Sequence, residues 1–312
     1  MQPSVHEIAA GRWHAILAGF GLTEAALSGR HTACPCCGGK DRFRFDDKEG
    51  RGTFYCSHCG PGTGVDLVMR LRGCGFKEAA REIETLAGAA PQVHTAPGQT
   101  EGDKLAALRK TWGEAKPLVD GDEAMRYLAG RGLTLTSIPA ALRLHDGLPY
   151  RDGHAFLGTF PAMLALVTGV DGKAVTVHRT YLENGKKAEV ATPKKLMPGK
   201  PTKGGAIRLF PVGVEMGIAE GIETALAASA LFSVPVWSCV SAGGVESFIP
   251  PTGVTSVIVF ADNDSNYTGQ RAAFALANRL TLNGIRATVK TPEIIGDWLD
   301  VLVARQAAGD WQ

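Results

Sequence analysis

Two short apolar runs, Val214–Ala219 and Val257–Ala261, each stop at acid: Glu220 after the first, Asp262 and Asp264 after the second. An apolar run of that length with carboxylates just past its end suits a strand buried in a parallel sheet. In open α/β sheets the chemistry gathers beyond the carboxyl ends of such strands. Three acids converging there, with no basic residue among them in sequence, repel one another unless a cation neutralises them. Hard divalent ions with carboxylate and water ligands, Mg²⁺ or Mn²⁺, are the natural partners. The stretch reads as a metal-dependent phosphoryl-transfer site.

A second group of ligands lies near the N-terminus, where five of the seven cysteines fall between Cys34 and Cys59. Cys34-x₂-Cys37 and Cys56-x₂-Cys59 are separated by 18 residues, a spacing that suits a four-cysteine zinc site. Between the pairs, Arg42-Phe43-Arg44-Phe45 alternates with period two and Thr53-Phe54-Tyr55 can pair with it across a turn. Two cysteine knuckles joined by a hairpin make a zinc ribbon, and four thiolates leave a structural Zn²⁺ no open position. Cys36 offers a rival second ligand. The x₂ spacing and Gly38-Gly39 favour Cys37, while His31 and His58 are substitutes of lower rank. Arg42 and Arg44 share one face of the hairpin, where they either grip single-stranded nucleic acid or are merely solvated. Phe43 and Phe45 share the other face and are expected to fill its small core.

The elements that must hold these groups follow from periodicity. Val5 to Phe20 suggests one short amphipathic helix, weakened at Gly11 and Gly19. Residues 62–87 read as two helices broken at Gly73-Cys74-Gly75. Residues 89–103 are rich in Gly, Pro and polar residues and read as a linker. Helices are expected over Leu105–Trp112 and Glu123–Gly130, then turn-rich sequence to 150. Strands Ala162–Val170 and Ala174–Tyr181 join at Asp171-Gly172, and Asn184-Gly185 marks a further hairpin turn. The last hundred residues alternate: strands at Val214–Ala219, Val236–Val240, Val245–Phe248, Val257–Ala261 and Ile285–Lys290, with helices Ile222–Leu231 and Gly269–Asn283. That alternation predicts a small doubly wound parallel sheet. The expected organisation is α/β (α+β overall): a zinc ribbon over 1–88, a linker over 89–103, a basic mixed subdomain over 104–210 and a catalytic domain over 211–312.

Composition narrows the class. At 45% hydrophobic and 21% charged residues the chain is that of an ordinary globular protein. It shows no secretory leader at the N-terminus and no apolar run near the ~18 residues that span a bilayer. The clustered cysteines suit metal ligation in a reducing cytoplasm better than disulfides. Residues 1–99 carry 11 Lys+Arg against 10 Asp+Glu, residues 100–210 carry 17 against 11, and residues 211–312 carry 5 against 10, giving +1, +6 and −5. A basic middle beside an acidic end suggests a polyanion held by one and a metal by the other. No G-x-x-x-x-G-K-[ST] occurs, so no P-loop motor is expected.

These residues carry a resemblance. Glu220-Gly221-Ile222-Glu223 after one strand and Asp262-Asn263-Asp264 after another resemble the signature of Toprim domains, shared by bacterial-type primases, topoisomerases and some nucleases. The stretch 34–68 looks like the zinc-binding domain of primase-helicases of satellite phages and plasmids. His178-Arg179-Thr180-Tyr181, Lys186-Lys187-Ala188, Lys194-Lys195 and Gly204 to Leu209 resemble the region that precedes Toprim in the same proteins. Asp297-Trp298-Leu299-Asp300 looks like the late acidic motif of such domains, from which Leu299 departs.

The resemblance implies a DNA primase. By that resemblance it is expected to be a nucleotidyltransferase that copies single-stranded DNA into short RNA primers from NTPs, with a separate helicase as partner and no membrane association. It implies Asp262 and Asp264 as principal Mg²⁺ or Mn²⁺ ligands, Glu220 as ligand or general base, and Asp297 and Asp300 as further ligands or helix caps. Glu223, one turn on, either orients the Glu220 site or faces solvent. Arg179, Lys187, Lys194, Lys195 and Arg208 are the candidates for template phosphates or the NTP triphosphate, and His178 is expected to be structural. Ser241-Ala242-Gly243-Gly244 either presents backbone amides to phosphate or is a tight turn. Two other readings compete: a Toprim-type metal-dependent nuclease, and a non-catalytic zinc-dependent DNA-binding adaptor. A cell or mobile element of bacterial type is the expected setting.

Overall fold

The computed structural model describes residues 4–89, 100–152 and 155–309. Most of the expected linker, residues 90–99, lies outside the described residues. Two compact units emerge, residues 1–100 with 151–157 and residues 101–150 with 158–312. No helix among the described residues is long and apolar enough to cross a membrane.

The first unit begins with α1 (Val5–Ala9), α2 (Trp13–Gly19) and α3 (Glu24–Leu27), so the single helix expected over Val5 to Phe20 is two. The break falls at Gly11, as the weak helix propensity there foretold. A four-stranded antiparallel sheet follows in the order β1 (Thr32–Cys34), β2 (Gly38–Phe45), β3 (Phe54–Cys56), β4 (Gly60–Gly62). Phe43 pairs with Cys56 and Phe45 with Phe54 across the expected hairpin. Phe43, Phe45 and Phe54 are buried with Trp13, Ile16 and Leu17. At about 1.5–3 kcal/mol per buried side chain, these phenylalanines are core and not a stacking surface. Then α4 (Gly64–Arg72) and α5 (Phe76–Ala89) pack on it, α4 opening with a Thr63–Asp66 capping box.

The second unit starts with α6 (Glu101–Glu114), whose first turn occupies the end of the expected linker. Next come β5 (Lys116–Pro117), α7 (Glu123–Gly130), β6 (Leu142–Asp152) and β7 (Ala155–Thr168). Residues 142–152 therefore form a strand and not the turn-rich sequence expected. Leu142, Leu144, Leu148 and Tyr150 are its buried alternate residues, and Gly147 and Pro149 masked that period. β8 (Ala174–Glu183), β9 (Lys186–Lys187), β10 (Lys194–Leu196) and β11 (Ala206–Ile207) complete the antiparallel part. Asn184 and Gly185 take φ of +52° and +70° between β8 and β9, the geometry of a type I′ hairpin.

The chain then alternates: β12 (Glu215–Ala219), α8 (Ile222–Phe232), β13 (Val236–Ser238), α9 (Ala242–Ser247), β14 (Ser256–Phe260), α10 (Thr268–Leu282), β15 (Arg286–Lys290) and α11 (Trp298–Ala308). β13, β12, β14 and β15 are neighbours in that order and all parallel. α8 and α11 cover one face, with Ala219, Phe260 and Trp298 in its core. α9 and α10 cover the other, with Met216, Ile218, Val257 and Val259. The strand expected at Val245–Phe248 is instead the end of α9. Ser241 caps that helix by accepting from the Gly244 amide at 3.1 Å, a start signal that the two apolar residues Val245 and Phe248 could not outweigh. β11 joins the two halves: Ile207 pairs with Val167 on one side and with Ser238 on the other. One eleven-stranded sheet thus runs through both the basic segment and the acid-bearing one.

Candidate active site

In the first unit the cysteines meet as their spacing predicts. The sulfurs of Cys34, Cys37, Cys56 and Cys59 all lie within 4.8 Å of one another, with Cys34–Cys59 at 3.9 Å and Cys37–Cys56 at 3.7 Å. A tetrahedron with Zn–S bonds of about 2.3 Å has sulfur–sulfur edges of about 3.8 Å, which these two separations match, so the set fits Zn²⁺. Backbone amides of Cys36 and Cys59 donate to the sulfurs of Cys34 and Cys56 at 3.4 and 3.3 Å, steadying thiolates. Cys36 itself is exposed and outside the group. His31 turns its Nδ1 to the Asp41 carbonyl instead. Arg44 is paired with Asp46 at 3.5 Å, and Arg42 lies across the knuckle against Gly39.

In the second unit a cavity of about 260 Å³ opens where β12, β13 and β14 end. Glu220, Asp262 and Asp297 line it together with Arg131, His178, Lys187, Lys194 and Glu223. Glu220 follows β12 directly, and burial followed by the nearby Asp264 charge raises its pKa above the ordinary value. The Ala242 amide and Lys194 act the other way. Asp262 follows Ala261 past β14, and its carboxyl is pushed up to about 7 by burial, then by Glu220, Asp297, Asp264 and Asp300. Four other carboxylates are therefore within electrostatic reach of Asp262. Oδ1 of Asp262 is buried with no hydrogen-bond partner.

An orphaned, buried carboxylate oxygen amid like charges is what a divalent cation satisfies. Glu220 and Asp262 thus fit such an ion, while Asp264 and Asp300 stand outside the cavity lining and act on the pair through their charge. No three carboxylates among the described residues bring oxygens within 4.8 Å of one another, so water would complete the shell, as Mg²⁺ prefers.

Of the two roles expected for Asp297 and Asp300, the structure shows the helix cap. They form a reciprocal capping box at the start of α11: Asp297 Oδ1 accepts from the Leu299 and Asp300 amides, and Asp300 Oδ2 from the Asp297 amide. Each keeps its other oxygen. Leu299 is buried in the core under α11, which accounts for an apolar residue at that place. Ser241 proves to be a helix cap, and the turn before it holds Val240 at φ +70°, an outlier for a β-branched residue. Ser238 steadies that turn, donating to the Glu220 carbonyl at 2.8 Å and accepting from the Val240 amide at 3.4 Å.

The opposite wall is basic and tied down. Lys194 Nζ lies 2.8 and 2.9 Å from the two oxygens of Glu223, and the Tyr127 hydroxyl donates to the same carboxylate. Glu223 is buried at 4% exposure, so it faces inward and not to solvent. His178 is buried, and burial followed by Lys194 lowers its pKa to about 4. It is therefore neutral near pH 7, and although expected to be structural it lines the cavity with its Nδ1 buried and unpartnered.

Arg179, Lys195 and Arg208 are not in the cavity lining. Arg179 donates to the Tyr181 hydroxyl at 3.1 Å and the Leu196 carbonyl at 2.9 Å. Lys195 sits 4.2 Å above the Tyr150 ring. Arg208 donates to the Gly169 carbonyl at 3.0 Å and lies over Trp237. Sequence reasoning passed over Arg131 and Tyr127, which come from the end and middle of α7. No local motif marks either, since they reach the site only through the packing of α7 on β8.

A family model described as a Toprim domain matches residues 215–308. The second unit carries a Toprim domain. Upstream, a model described as the zinc-binding domain of primase-helicase matches residues 29–65, so a primase-type zinc ribbon precedes the Toprim domain. Residues 102–209 match a domain of unknown function, DUF7146. Among solved structures, the Aquifex aeolicus primase (zinc-binding and RNA polymerase domains) is 14% identical, with TM-score 0.41, over 99% of this chain and 85% of that one. The primase fragment of the bacteriophage T7 primase-helicase protein is 14% identical, with TM-score 0.38, over 89% of this chain and 98% of that one. A DNA primase domain from Pseudomonas aeruginosa is 14% identical, with TM-score 0.41, over 67% of this chain and 77% of that one.

Proposed function

We propose that this chain is a DNA primase, a nucleotidyltransferase that makes short RNA primers on single-stranded DNA from NTPs with Mg²⁺ or Mn²⁺. One observation carries the reading: the Toprim acids Glu220, Asp262 and Asp297 share a cavity with Arg131, Lys187 and Lys194. An acid wall for cations facing a basic wall for phosphates suits a metal-bound nucleotide.

Glu220, Asp262 and Asp264 would hold the ions, with the spare oxygens of Asp297 and Asp300 behind them. Bound divalent ions would lower the pKa of the attacking 3′-hydroxyl and offset charge on the leaving pyrophosphate. Glu220, buried at the end of β12, would serve either as one of these ligands or, in place of that, as the general base that takes the hydroxyl proton. Lys187, Lys194 and Arg131 would bind the triphosphate, Lys194 from a position fixed by Glu223 and Tyr127. Template phosphates would lie along the ribbon's Arg42 and Arg44 face and the basic segment that includes Arg179, Lys195 and Arg208, contacts that position rather than specify. Unwinding would be supplied by a separate helicase acting with it in a bacterial cytoplasm.

The test is a priming assay with the purified chain, NTPs, Mn²⁺ or Mg²⁺ and single-stranded templates of random sequence. Short RNA made by the wild type and absent from Glu220→Gln and Asp262→Asn is expected. Metal-dependent DNA cleavage without NTPs would instead select a nuclease. Intact biological function in Asp262→Ala would select a DNA-binding adaptor.

A further inference from the structure

Asn263 lies between the two acids of the Toprim turn, and the phosphoryl-transfer reading gives it no task. Its side chain is nevertheless the most engaged polar group around the turn. Nδ2 donates to the carbonyls of Pro292 at 3.0 Å and Ile294 at 3.1 Å. Oδ1 accepts from Gln270 Nε2 at 3.1 Å, and the same Nε2 donates to the Asp264 carbonyl at 3.1 Å. The main chain adds a two-way bridge, Asn263 to Gly296 at 2.9 Å and Gly296 back to Asn263 at 3.2 Å.

The far side of this network is the loop 291–296, which delivers the chain to Asp297. Pro292 anchors the start of that loop by its burial, but Ile294 and Ile295 beyond it are 65% and 73% exposed and contribute almost none. Its end has no slack: Gly296 sits at φ +144°, where a Cβ would lie 2.5 Å from Asp300 Oδ2. Two carbonyls converging on one amide nitrogen require two N–H donors. A carboxylate there would face both carbonyls with like charge, and alanine would leave them unbonded.

We propose that Asn263 is a positioning residue that fixes the Asp262–Asp264 turn against the Asp297–Asp300 cap, so that both pairs of carboxylates serve one divalent-ion site. The proposal rests on the metal-dependent reading above. Groups that orient ligands from outside the coordination shell commonly carry about 10–100-fold of metal affinity.

The experiment is a titration of the full, zinc-loaded chain with Mn²⁺, read by the electron paramagnetic resonance signal of free ion, with thermal melts recorded without Mn²⁺. Asn263→Ala is expected to weaken Mn²⁺ binding about tenfold or more while its ion-free melt shifts little. Asn263→Asp is the sharper variant. If charge alone governed the site, an added carboxylate would tighten Mn²⁺ binding; positioning by two N–H donors requires that it weaken. Asn263→Ser, which keeps one donor, should fall between wild type and Asn263→Ala and stands in if the alanine variant does not fold. Titrations of Asn263→Asp that match or exceed the wild type overturn the proposal. A wild type that takes up no Mn²⁺ overturns the metal reading and the proposal together.

Discussion

Lys194 and Glu223 form a closed ion pair in the wall of the Toprim cavity, the ammonium 2.8 and 2.9 Å from the two carboxylate oxygens. Glu223 is almost wholly enclosed while the Lys194 side chain keeps 35% exposure. The pair is therefore anchored on its acidic side and open on its basic side. Taken together the two residues carry no net charge, which leaves Lys187 and Arg131 to supply the excess positive charge of that wall.

Removing the lysine strands the acid. Breaking a buried pair from one side costs about 3–5 kcal/mol; with Lys194 a third exposed, Lys194→Met should cost nearer 1–3 kcal/mol by urea unfolding. Burial raises the Glu223 pKa, but Lys194 and the Tyr127 hydroxyl more than reverse this, to about 2 against an ordinary 4.5. A lowered folded pKa stabilises fully above 4.5, and that contribution disappears as pH falls toward 2. The stability gap between wild type and Lys194→Met should shrink over that window. A constant gap would mean the pair does not hold Glu223 ionised.

Asp262 behaves in the opposite sense. Its folded pKa of about 7 lies above the ordinary 3.8, so the folded state retains a proton that the unfolded chain has released. Stability from this group therefore falls as pH rises from about 4 to about 7 and stays low above that. Without added Mg²⁺ or Mn²⁺, Asp262→Asn should be about 1–3 kcal/mol more stable than wild type at pH 8 and similar at pH 4. The same variant should lose the rise in melting temperature that Mn²⁺ gives the wild type.

Zinc stoichiometry separates the neighbouring cysteines. Cys36→Ser should keep one zinc per chain by atomic absorption, because its sulfur lies outside the four-sulfur group. Cys37→Ser and Cys56→Ser should lose it, and with it the ribbon's protection against proteolysis. Mn²⁺ binding by the Toprim domain should survive in Cys56→Ser; its loss would mean that the two units do not act independently.

Two basic residues should part by phenotype. Lys187 lines the cavity, so Lys187→Ala should raise the KM for NTP several-fold with an unchanged melt. Arg208 donates to the Gly169 carbonyl and lies over Trp237, so Arg208→Ala should cost about 1–3 kcal/mol of stability with KM little moved. A reversed pattern would relocate the triphosphate.

What the sequence disclosed and what it hid divide along physical lines. Runs that end in acid marked β12 and β14 and with them Glu220, Asp262 and Asp264, because a fully buried strand must be apolar throughout. Cysteine spacing marked the ribbon because four ligands on two knuckles constrain the chain between them. Asn184-Gly185 marked its hairpin because few other residues tolerate that backbone. The strand Leu142–Asp152 stayed hidden behind Gly147 and Pro149, and α9 behind a segment too short to show a period. The Tyr127–Glu223 contact spans 96 positions of sequence, and nothing local to Tyr127 announces it. Arg131 is of the same kind, as is the bonding of Asn263 to Pro292 and Ile294. Chemistry carried by one segment is legible; chemistry assembled between segments needs the fold.

β11 has a consequence for how such a protein can be divided. Its Ile207 stitches Val167 to Ser238, so a fragment starting at Glu215 would lay bare the β13 margin that Ile207 otherwise covers, an unprotected strand edge prone to sticking. The Toprim half is grafted to its basic forerunner through one sheet, and the two must be inherited as one piece.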